Sequence, residues 1–249
     1  MIKDSVIAVW FSCGAASAVA AKKTIQLYGD SNTVRVINNP VAEEHEDNRR
    51  FLLDVQEWIG QEVEIATNDK YPSGSAVEVW EKRKYMSGVA GAPCTAELKK
   101  KARQQWEARN PVDWHVLGFV AEELDRHSRF ILGERENVIP VLIDLRISKP
   151  ECAQILSEAG IKLPEIYRHG FPNANCIGCV KATSPTYWNL VRKEFPDVFK
   201  DRADQAERIG ARLVRHKNER IFLHELPVDA VGAPLKSMSI ECGIFCEEL

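Results

Sequence analysis

Ser5-Val-Ile-Ala-Val-Trp-Phe11, then Ser12-Cys-Gly-Ala-Ala-Ser17, then Ala18-Val-Ala-Ala-Lys-Lys-Thr-Ile-Gln-Leu-Tyr28 is the stretch on which the fold turns. An apolar run of strand length stops at small residues and gives way to an alanine-rich helical stretch. The reading is a buried strand, a tight turn over Ser12 to Ala16 and a helix from Ser17 to Tyr28. Small side chains let backbone N–H groups approach phosphate oxygens, and a helix N-terminus favours negative charge. Ser12, Cys13, Gly14, Ala15, Ala16 and Ser17 are therefore candidate nucleotide-binding residues; a merely tight strand-to-helix turn is the plainer alternative. The loop lacks the lysine of a Walker A motif and the spaced glycines of a dinucleotide fold.

Outward from this unit, strand and helix keep alternating. Strands are expected at Thr33 to Asn38, Glu62 to Thr67, Asp113 to Phe119 and Val138 to Asp144. Helices are expected at Glu44 to Ile59, Ala76 to Tyr85, Thr95 to Arg109 and Glu122 to Leu132. That order implies an α/β fold, a mostly parallel sheet with helices on both faces. After Asp144 the texture changes: Ser148-Lys-Pro-Glu151 looks like a capping box that opens a helix ending at Gly160. A cysteine loop follows, from Arg168 to Thr183, then helices at Ser184-Pro185 onward and at Asp197 to Ile209. The expected organisation is a nucleotide-binding α/β domain over 1–147, a helical part over 148–225 and a mobile C-terminal tail over 226–249.

At 249 residues and 45% hydrophobic content the chain can bury a full core, and a formal charge of −3 gives no global basic field for nucleic acid. Met1 to Ala21 superficially mimics a secretory leader, but its apolar core from Val6 to Phe11 is shorter than such a leader requires, and no run approaches a membrane span. A cytoplasmic protein is expected. In that reducing setting an odd count of seven cysteines argues for metal or catalytic use rather than a disulfide framework.

Five of the seven recur in suggestive contexts: Cys94 in Gly-Ala-Pro-Cys, Cys176 and Cys179 in Asn-Cys-Ile-Gly-Cys, and Cys242 and Cys246 in Glu-Cys-Gly-Ile-Phe-Cys. A Cys-x-x-Cys places two thiolates close enough to grip one metal or cluster. Buried, inert thiols are the competing reading. Lys99 and Lys100, on the helix after Cys94, are further candidates for neutralising nucleotide phosphates, although a lysine run is more often a solvated face.

With these residues in view, the chain resembles the phosphoadenosine-phosphosulfate (PAPS) reductase family of the adenine nucleotide alpha-hydrolase-like (PP-loop) superfamily. Ser12 to Ser17 matches the Ser-Gly-Gly-x-Asp-Ser pyrophosphate loop. Glu44-His-Glu-Asp-Asn-Arg49 resembles the stretch after the second strand, and Pro93-Cys-Thr-Ala-Glu-Leu-Lys-Lys100 the Cys-Cys-x-x-Arg-Lys region. Cys176-Ile-Gly-Cys179 matches the Cys-x-x-Cys of cluster-bearing members, and Glu241-Cys-Gly-Ile-Phe245 the C-terminal Glu-Cys-Gly-Ile-His motif. Departures accompany the matches: Cys13 replaces a glycine, Ala16 the loop aspartate, Pro93 a second cysteine and Phe245 a histidine. Gly118-Phe-Val-Ala-Glu-Glu123 lacks the paired arginines used near the phosphates, although Arg126 and Arg129 lie just downstream.

The resemblance implies a [4Fe-4S] cluster on Cys94, Cys176 and Cys179, with Cys242 or Cys246 as a fourth ligand or one iron left open. Zinc, held by the same thiolates with a fourth Cys or His169, is the alternative metal. It also implies an adenine nucleotide substrate (PAPS, APS or ATP), with Cys242 as nucleophile in sulfonucleotide reduction to sulfite and Cys246 as resolving thiol. A thioredoxin-like reductant is then the expected partner, and a homodimer the expected assembly. Close relatives with this loop thiolate nucleobases, so an ATP-using sulfurtransferase acting on a nucleic acid or nucleoside is the alternative. A non-catalytic nucleotide-binding accessory protein is a third.

Overall fold

The computed structural model describes residues 2–89 and 91–235. Its centre is a five-stranded sheet of order β3-β2-β1-β4-β5, formed by β1 (Val6–Phe11), β2 (Thr33–Asn38), β3 (Val63–Ile65), β4 (Trp114–Val116) and β5 (Val138–Ile139). Every pairing is parallel. A parallel sheet needs crossovers that cover it, and α1 (Ala15–Tyr28), α2 (Asn48–Ile59), α3 (Ala76–Arg83), α4 (Ala102–Arg109), α5 (Leu124–Gly133), α6 (Val141–Asp144) and α7 (Lys149–Glu158) follow in chain order. The last two helices are α8 (Pro185–Glu194) and α9 (Pro196–Ile209).

The two-residue period of β1 separates two cores. Ile7, Val9 and Phe11 face one cluster with Val19 of α1, Val55 of α2 and Cys152 and Leu156 of α7. Ala8 and Trp10 face the other, with Trp106 of α4 and Phe130 of α5. A third core joins Val79 and Trp80 of α3 to Trp188 of α8, Ala203 of α9 and the Cys176–Cys179 loop. Thus α7, read from sequence with the second part of the chain, packs in space against the sheet layer.

Several elements differ from the sequence reading for identifiable reasons. The first helix begins at Ala15, two residues before Ser17, because Gly14 takes the extended cap conformation. The fifth strand stops at Ile139: Pro140 has no N–H for the ladder, and Val141–Asp144 turns helical. Residues 43–47 stay outside α2, their polar groups spent on neighbouring segments. The capping box is present, with Ser148 accepting from the Glu151 N–H and the Glu151 carboxylate accepting from the Ser148 N–H.

An antiparallel hairpin, β6 (Val214–His216) with β7 (Glu219–Ile221), escapes the sequence reading; its turn residues Lys217 and Asn218 carry φ of 47° and 67°. Two successive left-handed residues make the turn that matches strand twist. Residues 226–235, expected within the mobile tail, are strapped onto α8. Asn189 Nδ2 donates to the carbonyls of Pro227 and Ala230, Ser184 Oγ to that of Ala233, and Leu226 is buried. No helix among the described residues is long and apolar enough to cross a membrane.

Candidate functional site

The strand order reverses direction of growth between β1 and β4, and in open parallel sheets the crevice at such a point, beyond the strand C-termini, is where ligands bind. Ser12 to Ser17 sits there. Ser17 Oγ organises the loop: it accepts from the Ser12 N–H at 3.1 Å and donates to the Gly14 carbonyl at 3.0 Å. Ser17 is buried by this role, while Ser12 is exposed at the mouth. No acidic residue lies in the first turn of α1, so the positive end of the helix is undiluted.

Cys13 presents its backbone, not its thiol, to the loop. Its φ of 55° lies in the left-handed region that favours glycine, the residue the resemblance led one to expect at this position. The thiol points into the sheet core, 2% exposed, where Asn38 Nδ2 donates to it at 3.4 Å. Burial first, and then the Glu44 carboxylate, push its pKa far up, so it is a neutral packing group.

Two residues that the sequence reading did not single out complete the loop. Gly118, just after β4, lies so close that an added Cβ would stand 2.8 Å from the Ser17 nitrogen. Tyr167, closing a 3₁₀ turn over Glu165–Tyr167, brings its hydroxyl against the start of α1, 3.6 Å from a Cβ placed on Gly14. Burial raises the phenol pKa, opposed in part by the Ala15 N–H, which leaves a neutral hydroxyl there. The only local signal for either was their place beside other motifs: Gly118 opens the stretch that lacks arginines, and Tyr167 borders the cysteine loop.

Thr95–Lys101 forms a π-helical segment with Cys94 at its start. Successive residues on a helix point in different directions, so the two lysines diverge. Lys99 Nζ is buried, 2.6 Å from the Asn39 carbonyl and 3.2 Å from Glu44 Oε1, so it braces the end of β2 beneath the loop. Lys100 is carried to the other side and pairs with Glu134 at 3.2 Å, not with the phosphate loop. Arg126 and Arg129 bond to Glu123 and to the Asp125 carbonyl of their own segment.

The three cysteines read as metal ligands all border the third core. Cys176 and Cys179 are buried in it, and Cys94 packs against it. The Cys-x-x-Cys turn is possible because Gly178 takes φ of 70°. Tyr187 holds it, accepting from the Cys179 N–H at 2.8 Å and donating to the Cys176 carbonyl at 3.3 Å. Among the described residues no group of three or more His, Cys, Asp or Glu side chains is arranged around a single ion. His169, the expected fourth ligand for zinc, bonds through Nδ1 to Glu194 at 2.8 Å and packs on Phe195. Cys242 and Cys246, expected as catalytic or fourth-ligand thiols, lie outside the described residues.

The same core carries an unusual set of buried polar atoms without a hydrogen-bond partner: Arg202 Nε, Trp80 Nε1 and Thr95 Oγ1. Thr95 adjoins Cys94, and the Arg202 guanidinium lies 4.3 Å from the Trp80 ring centroid. Buried donors are normally satisfied. Arg202 Nε, 3.6 Å from a Cβ placed on Gly178, is a donor beside the Cys-x-x-Cys turn that suits an acceptor-rich group such as a thiolate-held iron–sulfur cluster.

No protein-family model matches the sequence, and no curated protein matches it. Among solved structures, the chain is similar to the U34-tRNA thiolase NcsA from Methanococcus maripaludis, determined with its [4Fe-4S] cluster. The TM-score is 0.50 at 13% identity, over 99% of this chain and 82% of the thiolase. The likeness is one of fold: this chain is an α/β protein with the mostly parallel, helix-covered sheet that its alternating strands and helices imply.

Proposed function

We propose that this protein is an iron–sulfur-dependent sulfurtransferase that uses ATP to thiolate a nucleic acid, with tRNA the foremost substrate class. The observation that carries the reading is one juxtaposition. Cys94, Cys176 and Cys179 share a buried core lined by unsatisfied donors. The cysteine turn is tied to the segment following β2, at the loop end of the sheet, by the Ile177 N–H to Glu43 carbonyl bond. The fold it shares with a cluster-bearing tRNA thiolase supports this over sulfonucleotide reduction.

In this reading the N–H groups at the start of α1 hold nucleotide phosphates, and Gly118 lets the loop close against β4. Ser17 holds the loop's shape, and Lys99 offsets Glu44 beneath it. Cys94, Cys176 and Cys179 would hold the cluster, which when bound supplies an iron site that takes up sulfur. The Tyr187 hydroxyl fixes the turn, and the apolar walls from Trp188 and Val198 around Gly178 exclude water.

The test uses full-length protein purified without oxygen. Its visible spectrum, iron and sulfide content are measured, and it is then incubated with ATP, a sulfide donor and unmodified tRNA. Thionucleoside in the digested tRNA, with AMP or pyrophosphate formed only when the acceptor is present, is the expected result; loss of both in Cys176→Ser follows. Iron-loaded protein that makes no thionucleoside from any tRNA, RNA or DNA pool would overturn the reading.

The Glu241-Cys-Gly-Ile sequence favours a second reading, thiol-dependent sulfonucleotide reduction with Cys242 as nucleophile and a thioredoxin-like reductant. Sulfite release from PAPS or APS, lost in Cys242→Ser, distinguishes it.

A further inference from the structure

Arg202 is 3% exposed in the middle of α9, where the Glu43 carboxylate acts on it through space with no direct ion pair among the described residues. One guanidinium N–H is used: Nη1 donates to Gln205 Oε1 at 2.7 Å. The plane stacks on Trp80, and Nε has no partner. Burying a cation is costly unless its donors are also met. One hydrogen bond, one ring and a carboxylate acting through space leave the Nε–H unmet.

The direction of the unsatisfied donor is set by Gly178. A Cβ placed there would lie 3.6 Å from Arg202 Nε, so the guanidinium edge sits directly behind the Cys-x-x-Cys turn. Trp188 and Val198 close the rest of that space, at 3.6 and 3.3 Å from the same point. The surroundings are dry, so a charge there acts over several ångströms with little screening.

We infer that Arg202 is a positioning residue for the sulfur-rich group held by Cys176 and Cys179: its Nε–H donates to that group, and its fixed positive charge sets how readily the group accepts an electron. The inference rests on the reading of Cys94, Cys176 and Cys179 as cluster ligands. A guanidinium suits the place better than an ammonium, because its planar donor can lie on Trp80 and still present an N–H to the turn.

The test is an anaerobic redox titration of the full chain, followed by electron paramagnetic resonance, for wild type, Arg202→Lys and Arg202→Met. Loss of the charge in Arg202→Met is expected to lower the midpoint potential, and Arg202→Lys to stay close to wild type. An unchanged midpoint in Arg202→Met at equal iron content overturns the inference alone. Should Arg202→Met fail to fold or load iron, wild-type protein labelled with [15N]arginine decides the matter. Pulsed resonance of its reduced state is expected to show a 15N coupling that Arg202→Lys lacks, and its absence overturns the inference. Wild-type protein that takes up no iron and sulfide overturns both the inference and the functional reading beneath it.

Discussion

The Ile177 N–H donates to the Glu43 carbonyl at 2.9 Å, joining the Cys-x-x-Cys turn to the segment that leaves β2. The Glu43 carboxylate works in the opposite direction, accepting from Ser75 Oγ and from the N–H groups of Ala76 and Val77 at the start of α3. One residue thus bridges the cysteine turn and the helix that carries Trp80. Glu43→Ala should lower the unfolding free energy by about 1–3 kcal/mol, the scale of losing a helix cap with charged hydrogen bonds. It should also reduce iron retained after reconstitution. Urea denaturation and iron analysis check both, and full iron retention would detach Glu43 from the cysteine site.

Gly118→Ala tests the close approach of the β4 loop to α1. Its methyl would press on the Ser17 backbone, which cannot yield without moving the loop. A loss of about 1–3 kcal/mol is expected, the usual scale of overpacking. Nucleotide affinity should fall more than tenfold. A variant that binds nucleotide normally would show that the loop has room to spare.

Cys13 combines a left-handed φ with a buried thiol. Cys13→Gly relieves about 1 kcal/mol of backbone strain and forfeits a similar amount of buried surface, so its melting temperature should stay near wild type. Cys13→Val puts a β-branched side chain in the same conformation and should lose more than about 2 kcal/mol. Thermal unfolding compares them; a tolerated valine would contradict the strain argument.

His115 in β4 accepts from Trp10 Nε1 at 3.1 Å and faces the Arg135 guanidinium. Burial, then the Arg135 and Arg103 charges, pull its pKa down to about 3. The unfolded chain takes up the proton near the ordinary histidine value of about 6.5 and the folded chain does not. Its contribution is therefore fully present above that value and is lost as pH falls towards 3, with a slope of at most about 1.4 kcal/mol per pH unit. The difference in unfolding free energy between wild type and His115→Gln, measured from pH 7 to 4, should shrink as pH falls. A pH-independent difference would mean that the imidazole titrates normally in the fold.

Short-range patterns were legible from residues alone. The apolar runs Val6–Phe11 and Thr33–Asn38, the small-residue loop between β1 and α1, and the Ser148 to Glu151 capping box depend on neighbours a few positions away, and each stands where its pattern predicts. The alternation of these units then restricts the sheet to a parallel one, because parallel strands require covering crossovers.

Tertiary structure decided what those patterns do not encode. The packing of α3, α8 and α9 into one core puts Cys94, Cys176 and Cys179 on its border or within it and sets Arg202 Nε beside Gly178. Tertiary packing also turned Lys100 to Glu134 and laid the Tyr167 hydroxyl against the start of α1, although neither residue's own neighbourhood distinguishes it. Backbone periodicity and capping act along the chain, so the sequence by itself determined the elements and the loop. Which buried faces meet is a property of the whole packed chain, and the cysteine site follows from that meeting.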